Sequence, residues 1–381
     1  KIEDVEKFGR IAGENFLKWT SEYFAFRNKP VSNDSIARLE NKSGFRHIVH
    51  LNASGKWMEL VSEPKSKEWA IYTLPLSPPA SGRPALFALT KDERRLVCRG
   101  TDGHLYEYAS ASNSGADGKW TRQNLTELLG LPKAAADPSV VVANSVPHVV
   151  YVDELGEIRE LWFDGQWRQF PLPAMPRAEG GIVASLDGST LRVIYRSMFG
   201  VPYEQSLNLD SATAKNRSWR TEGVHRLPAM GQPVGLTVNG RRDVVFHVAR
   251  DWPRRQPFVF DWNERRRVPG YFTYEGGRNA LVYAKEIGQR FKNQYNIAHT
   301  TDQLDNGFTL LHDKKNKFHF LAFTSPDGGI RESVLQGEEW AMTNLSELVG
   351  APRAKGSPVG WTNAKNGTRH YLYQGDNSEV H

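Results

Sequence analysis

A single cysteine, Cys98, stands among the 381 residues, which excludes an internal disulfide framework and any metal site built from several thiolates. No apolar run approaches the length of a membrane-crossing helix, and no signal peptide is visible. A nucleophile elbow, a phosphate-binding loop, an H-E-x-x-H pair and a glycine-rich dinucleotide fingerprint are also missing. Nothing therefore reads as a catalytic constellation, and no metal or cofactor is expected. Charge of one sign is scarce: 49 Lys and Arg against 43 Asp and Glu leave a net +6. The basic runs Arg254-Arg255 and Arg265-Arg266-Arg267 are short and mixed with acids, the pattern of a solvated face rather than of a nucleic-acid track.

Aromatics are abundant (Trp 11, Tyr 13, Phe 18), and so are the turn formers Gly (33) and Pro (21). Together they predict many short strands. Helix is expected only over residues 1–15, where Ile2, Val5, Phe8 and Ile11 form one apolar stripe, and within an insertion at about 270–300. The stretch Val146–Trp167 is the clearest strand pattern, with Val149 and Tyr151 alternating against His148 and Val150 around a tight turn.

That phrase returns along the chain. Tryptophans mark the beat at Trp19, Trp69, Trp120, Trp167, Trp219 and Trp340, with Arg267 in the slot that lacks one. Asn124–Pro132 and Asn344–Pro352 are near copies, each starting four residues after a Trp. Units of about 50 residues holding about four strands predict a β-propeller, whose blades bury both faces by radial stacking. Seven basic-headed or equivalent strands predict seven blades, with six as the alternative. Residues 16–381 then form the propeller, with blades ending near Trp69, Trp120, Trp167, Trp219, Arg267 and Trp340. Residues 16–24 are expected to close the last blade. The start at Lys1 and the stop at His381 suggest a piece of a longer protein.

A second register runs inside the repeat. His47, Arg95, His148 and Arg192 each open an apolar strand, and each is followed twelve residues later by a glutamate: Glu59, Glu107, Glu160 and Glu204. His319 is followed at thirteen by Glu332, and the fifth unit inverts the charges as Asp243 and Arg255. A hairpin folded about Glu154 would set His148 opposite Glu160 and Tyr151 opposite Glu157. As structural ion pairs these are worth roughly 0.2–1 kcal/mol each. The inversion at Asp243 and the free exchange of His for Arg favour that reading.

Other residues carry a second one. Arg192-Val-Ile-Tyr195, Gly156-Glu-Ile-Arg-Glu160, Asp164-Gly-Gln-Trp167 and Asp327-Gly-Gly-Ile-Arg-Glu332 resemble the repeat of fungal fucose-specific lectins, and bacterial seven-bladed propeller lectins have a similar unit length. In the fucose lectins an Arg of the second strand and a Glu of the third hold sugar hydroxyls while aromatic rings stack on the sugar. The resemblance thus implies ligand-binding pairs at Arg95 with Glu107 and Arg192 with Glu204. His148 with Glu160 and His47 with Glu59 follow with His in place of the family's Arg, and Trp57 and Trp162 could supply stacking faces. The implied function is a non-catalytic carbohydrate-binding propeller with repeated weak sites between blades. Its partners would be glycans or glycoconjugates, fucose-type sugars first.

The alternative is a protein-interaction scaffold, or one module of a larger secreted protein or toxin, with the basic–Glu pairs structural. A glycoside-acting enzyme is a third reading, for which the sequence singles out no carboxylate pair. No nucleic-acid partner and no membrane span are expected, and a secreted or extracellular location is favoured.

Overall fold

The structure, a computed structural model, describes residues 36–376 apart from connecting segments, the longest being 112–119, 225–233, 249–258 and 269–278; between 234 and 308 it describes only the pairing of the backbone. The helix expected over 1–15 and the closing strand at 16–24 lie outside the described residues.

Six four-stranded antiparallel sheets follow one another, over 36–73, 80–124, 139–171, 178–223, 234–300 and 308–344, and a two-stranded sheet covers 359–372. In every sheet the hydrogen-bonded order is the chain order. First strands of successive sheets lie side by side from the first sheet to the last. The last sheet returns to the first, where Leu372 and Trp361 pack with Ile36, Ile48 and Leu60. The fold is an all-β propeller with very little helix.

The third sheet shows why this sequence stacks radially. In its strand Val146–Val152, Val149 and Tyr151 join the core shared with Val97 and Leu105 of the second sheet, while Val150 and Val152 join Leu191 and Val193 of the fourth. Both faces are dry, so the strand reads as a nearly continuous apolar run. Each such side chain taken from water contributes about 1.5–3 kcal/mol. The tryptophan beat leads the outermost strands: Trp69, Trp120 and Trp219 stand just before them, Trp167 opens its own, and each ring packs into an inter-sheet core. Cys98 is buried in the core between the first two sheets, where desolvation pushes its thiol pKa up.

The near copies Asn124–Pro132 and Asn344–Pro352 form matching capped turns. Each asparagine caps a short helix, Leu125–Leu128 or Leu345–Val349. Its Oδ1 accepts from the backbone N–H of Glu127 or Glu347, and its amide donates back to that carboxylate at 3.1 or 3.2 Å.

Each of these turns leads to a linker of one pattern, Pro-Lys/Arg-Ala, and the pattern recurs a third time: Pro132-Lys133-Ala134, Pro176-Arg177-Ala178 and Pro352-Arg353-Ala354. Its backbone is bonded to the turns of both sheets it joins. Ala134 N–H donates to Gly103 O while Glu154 N–H donates to Lys133 O; Ala178 N–H donates to Gly156 O while Met198 N–H donates to Arg177 O. Ala354 N–H donates to Gly328 O, and Asp376 N–H to Arg353 O, in the same way. Gly328 sits at φ +81°, and a Cβ there would lie 2.8 Å from Cβ of Arg353, so the turn needs glycine twice over.

Two expectations are corrected. The segment 279–300 is not helical: Asn279–Ile287 and Arg290–Thr300 are the third and fourth strands of the fifth sheet. The extra chain precedes them and carries a separate hairpin, Val259–Asp261 with Arg266–Val268. The Leu-Val-Tyr core of the first of these strands is β-prone, and pairing with Arg241–Val248 outweighs the helical spacing of its charges.

The second correction is the hairpin register. His148 stands opposite Trp162, Val150 opposite Glu160 and Tyr151 opposite Arg159. The turn runs Asp153–Glu157: Asp153 Oδ1 accepts from the N–H groups of Leu155 and Glu157, and Gly156 takes φ +77°. The turn is therefore centred on Leu155, one residue later than expected.

Candidate functional site

The corrected register turns direct opposition into a diagonal. The basic residue and its glutamate share one face two residues out of register, still within reach of long side chains. The same offset holds in four sheets, with Val49 opposite Glu59, Val97 opposite Glu107, Val150 opposite Glu160 and Ile194 opposite Glu204. All four expected pairs are formed. Glu59 accepts from His47 Nδ1 at 3.0 Å and Glu160 from His148 Nδ1 at 2.7 Å. Arg95 Nη1 donates to Glu107 at 2.8 Å and Arg192 Nη1 to Glu204 at 2.9 Å.

The sequence did not reveal the third member, which arrives from the following sheet. Arg94 of the second sheet donates to Glu59 at 2.8 Å. Arg217, ahead of the outer strand of the fourth sheet, embraces Glu160 through Nε at 2.8 Å and through Nη2. Its guanidinium covers the Trp162 ring at 4.3 Å. Trp167 of the third sheet donates Nε1–H to Glu107 at 2.8 Å, on the oxygen that Arg95 leaves. In the sixth sheet Glu332 takes Arg369 of the last sheet at 2.8 and 3.0 Å and the Tyr371 hydroxyl at 2.5 Å.

Glu59, Glu107, Glu160 and Glu332 are thus bridges between neighbouring sheets. Arg94 and Arg95 show how one strand serves two seams: adjacent residues point to opposite faces, so Arg94 reaches back to Glu59 while Arg95 faces forward toward Phe163, whose ring lies 4.8 Å from its guanidinium.

The seams differ in openness. His47, Glu59 and Arg94 are all 0% exposed, and His148, Glu160 and Arg217 are nearly so. The side chains of Arg95 and Arg192 retain 14% exposure each. Each of these two arginines also holds a second carboxylate from the first hairpin of its sheet: Glu93 accepts from Arg95 Nε at 2.7 Å, and Asp187 from Arg192 Nη2 at 3.1 Å.

Burial alone would lower the pKa of Arg95, but Glu107 and Glu93 outweigh it and hold the guanidinium above its ordinary value. At Arg94 burial wins over Glu59, and the pKa falls. The Tyr371 hydroxyl is pushed well above its usual range by burial and by Glu332.

Several sequence-based assignments land elsewhere. Trp57 is 1% exposed inside the core between the first two sheets, so its ring offers no stacking face. Trp162 is 5% exposed and is covered by Arg217. His319 stands opposite Leu335, whereas Glu332 stands opposite Ala322, so Phe320 occupies the diagonal place and Arg369 replaces the basic partner from outside the sheet. Asp243 is opposed by Lys285, and Arg255 lies outside the described residues.

The aromatic pair of the second seam is Phe163 and Trp167, with ring centroids 5.5 Å apart. A signal for the missing partners existed in the basic doublets Arg94-Arg95 and Arg369-His370, where one residue serves each face. Among the described residues, no group of three or more His, Cys, Asp or Glu could hold a metal ion, and no helix is long and apolar enough to cross a membrane.

No family model matches the chain, and no curated protein matches its sequence. Solved structures do match its fold. The BP39L lectin from Burkholderia pseudomallei aligns with a TM-score of 0.64 at 10% identity, over 93% of this chain and 95% of that one. AofleA from Arthrobotrys oligospora aligns with a TM-score of 0.50 at 14% identity, over 85% and 90%. At such identities the likeness is one of architecture, and the chain shares the propeller fold of these proteins.

Proposed function

We propose that the chain is a non-catalytic, carbohydrate-binding propeller whose sugar sites are the arginine-headed seams, Arg95 with Glu107 and Arg192 with Glu204. The histidine-headed pairs, His47 with Glu59 and His148 with Glu160, are internal bridges in this reading. The observation that carries it is the second seam, where a partly open guanidinium and a carboxylate meet the Phe163 and Trp167 rings of the next sheet. A guanidinium donates to sugar hydroxyls, a carboxylate accepts from them, and an aromatic ring packs on the C–H face of the pyranose. The fold shared with a bacterial lectin and the repeat-level resemblance to fucose-specific lectins make fucosylated glycans the first candidates. Each site would be weak, and several on one ring would gain avidity on a multivalent surface. We read the ring as seven-bladed, the two-stranded sheet at 359–372 belonging to the seventh blade.

The test is a glycan array that includes fucosides, beside an Arg95→Ala/Arg192→Ala variant. The expected result is binding by the wild type that the variant loses while its thermal midpoint stays within a few degrees. No binding by the wild type to any glycan would overturn the reading. A specific observation supports the scaffold alternative: Glu59, Glu107, Glu160 and Glu332 already accept from a donor of the next sheet. A sharp fall in the variant's midpoint would favour it.

A further inference from the structure

We infer that Glu93 and Asp187 set the charge preference of the arginine-headed seams, so that these sites admit neutral sugars and turn anionic ones away. The inference rests on the sugar-binding reading and adds a specificity to it. In each seam one guanidinium is shared by two carboxylates: Arg95 by Glu93 and Glu107, Arg192 by Asp187 and Glu204. The remaining contributors to the second seam, Phe163 and Trp167, are uncharged. In the second seam the three charged groups therefore sum to minus one.

The buried seams are built differently, with one glutamate facing an arginine and a histidine and no second carboxylate among the described contacts, as in Glu59 with Arg94 and His47 or Glu160 with Arg217 and His148. The extra carboxylate is thus specific to the seams whose arginine is partly open. It also arises twice from unlike places, two residues before Arg95 and five residues before Arg192. In both cases it is the more exposed acid, 20% against 6% for Glu107 and 2% for Glu204, so it lies nearer the solvent from which a ligand arrives.

A carboxylate or sulfate on the sugar would approach this second acid before it met the guanidinium, whose charge is already more than balanced. Low dielectric at a partly buried site strengthens the repulsion. A neutral hydroxyl pair suffers none of it and can still use the N–H groups of the arginine and the lone pairs of the acids. The chain's net charge of +6 therefore does not carry over to the second seam.

The experiment measures affinity by titration calorimetry for the methyl glycosides of fucose, galactose and glucose. Each is set beside the uronoside of the same configuration, at low and at physiological salt. Wild type is compared with Glu93→Gln, Asp187→Asn and the double variant, since the amides keep an acceptor for the arginine and remove only charge. The wild type is expected to bind the neutral member of whichever pair it recognises at least tenfold more tightly at low salt. The double variant should narrow that ratio by threefold or more, each single variant by less. Equal or tighter binding of the uronoside by the wild type, or a ratio unmoved in all three variants, overturns the charge assignment and leaves the sugar reading standing. Failure of the wild type to bind any of the glycosides, neutral or anionic, overturns both.

Discussion

The first and second seams of the ring are built from the same two columns of the repeat and come to opposite ends. Between the first and second sheets, His47, Glu59 and Arg94 are sealed from water and spend their hydrogen bonds on one another. Between the second and third, Arg95 and Glu107 keep some exposure and meet two aromatic rings. What decides the difference is the donor that the next sheet sends. An arginine closes the seam with charge, whereas Trp167 satisfies one carboxylate oxygen and leaves the guanidinium of Arg95 at the surface. One residue in the neighbouring sheet can therefore separate a structural bridge from a place for a ligand.

The comparison can be broken most forcefully at the sealed seam. Glu59→Ala leaves the Arg94 cation buried without its counter-charge and should cost about 3–5 kcal/mol in denaturant unfolding. Glu107→Ala should cost clearly less, because Arg95 keeps Glu93 and access to water. Equal losses would erase the distinction between the seams.

The backbone attachment offers an intermediate effect. Gly328→Ala should cost roughly 1–2 kcal/mol for the left-handed conformation, and the close approach of Arg353 adds to that. Gly165→Ala, at φ +98° with no atom within 4 Å, should show only the conformational part.

A smaller stability change separates chemistry from folding. Glu107→Gln should shift unfolding by only about 1 kcal/mol and yet weaken glycan binding on the array, the Arg192–Glu204 seam being left intact. Binding equal to that of the wild type would remove the Arg95–Glu107 pair from the site.

The smallest effect is expected where the ring closes. There the Arg38 guanidinium lies over the Trp361 ring, 4.0 Å from its centroid, and the His370 ring stacks on Trp361 at 4.8 Å. Burial first, then Arg38 and Arg46, lower the His370 pKa from 6.5, with Glu40 opposing them. A histidine with a depressed folded pKa contributes stability that is fully present above 6.5 and declines as pH falls through that value toward the folded pKa. His370→Phe keeps a stacked ring and should flatten that part of the stability–pH curve. An unchanged slope would place the acid sensitivity elsewhere.

Much of this molecule was legible before its structure. The tryptophan beat and the basic–Glu spacing announced the propeller and four real side-chain pairs, because both arise within one sheet and so within one stretch of chain. What crosses between sheets was not legible: Arg217 meets Glu160, and Trp167 meets Glu107, over about 60 residues of intervening chain. The hairpin register slipped because Asp153 and Gly156 together build a longer turn than alternation alone suggests. The 279–300 segment misled because its charges fall at helical spacing, while its place in the sheet is decided by the strand Arg241–Val248. The Pro-Lys/Arg-Ala linkers escaped the sequence reading, because their meaning depends on turns that only the folded ring brings to them.

Those linkers hold neighbouring sheets together through main-chain atoms, and main-chain atoms are indifferent to which side chains line the seam. The angular pitch of the ring is thereby uncoupled from the chemistry between its sheets. A seam can exchange histidine for arginine, or an arginine donor for tryptophan, while its neighbours keep their places. Such a scaffold can hold dissimilar binding surfaces side by side, each adjustable without disturbing the next.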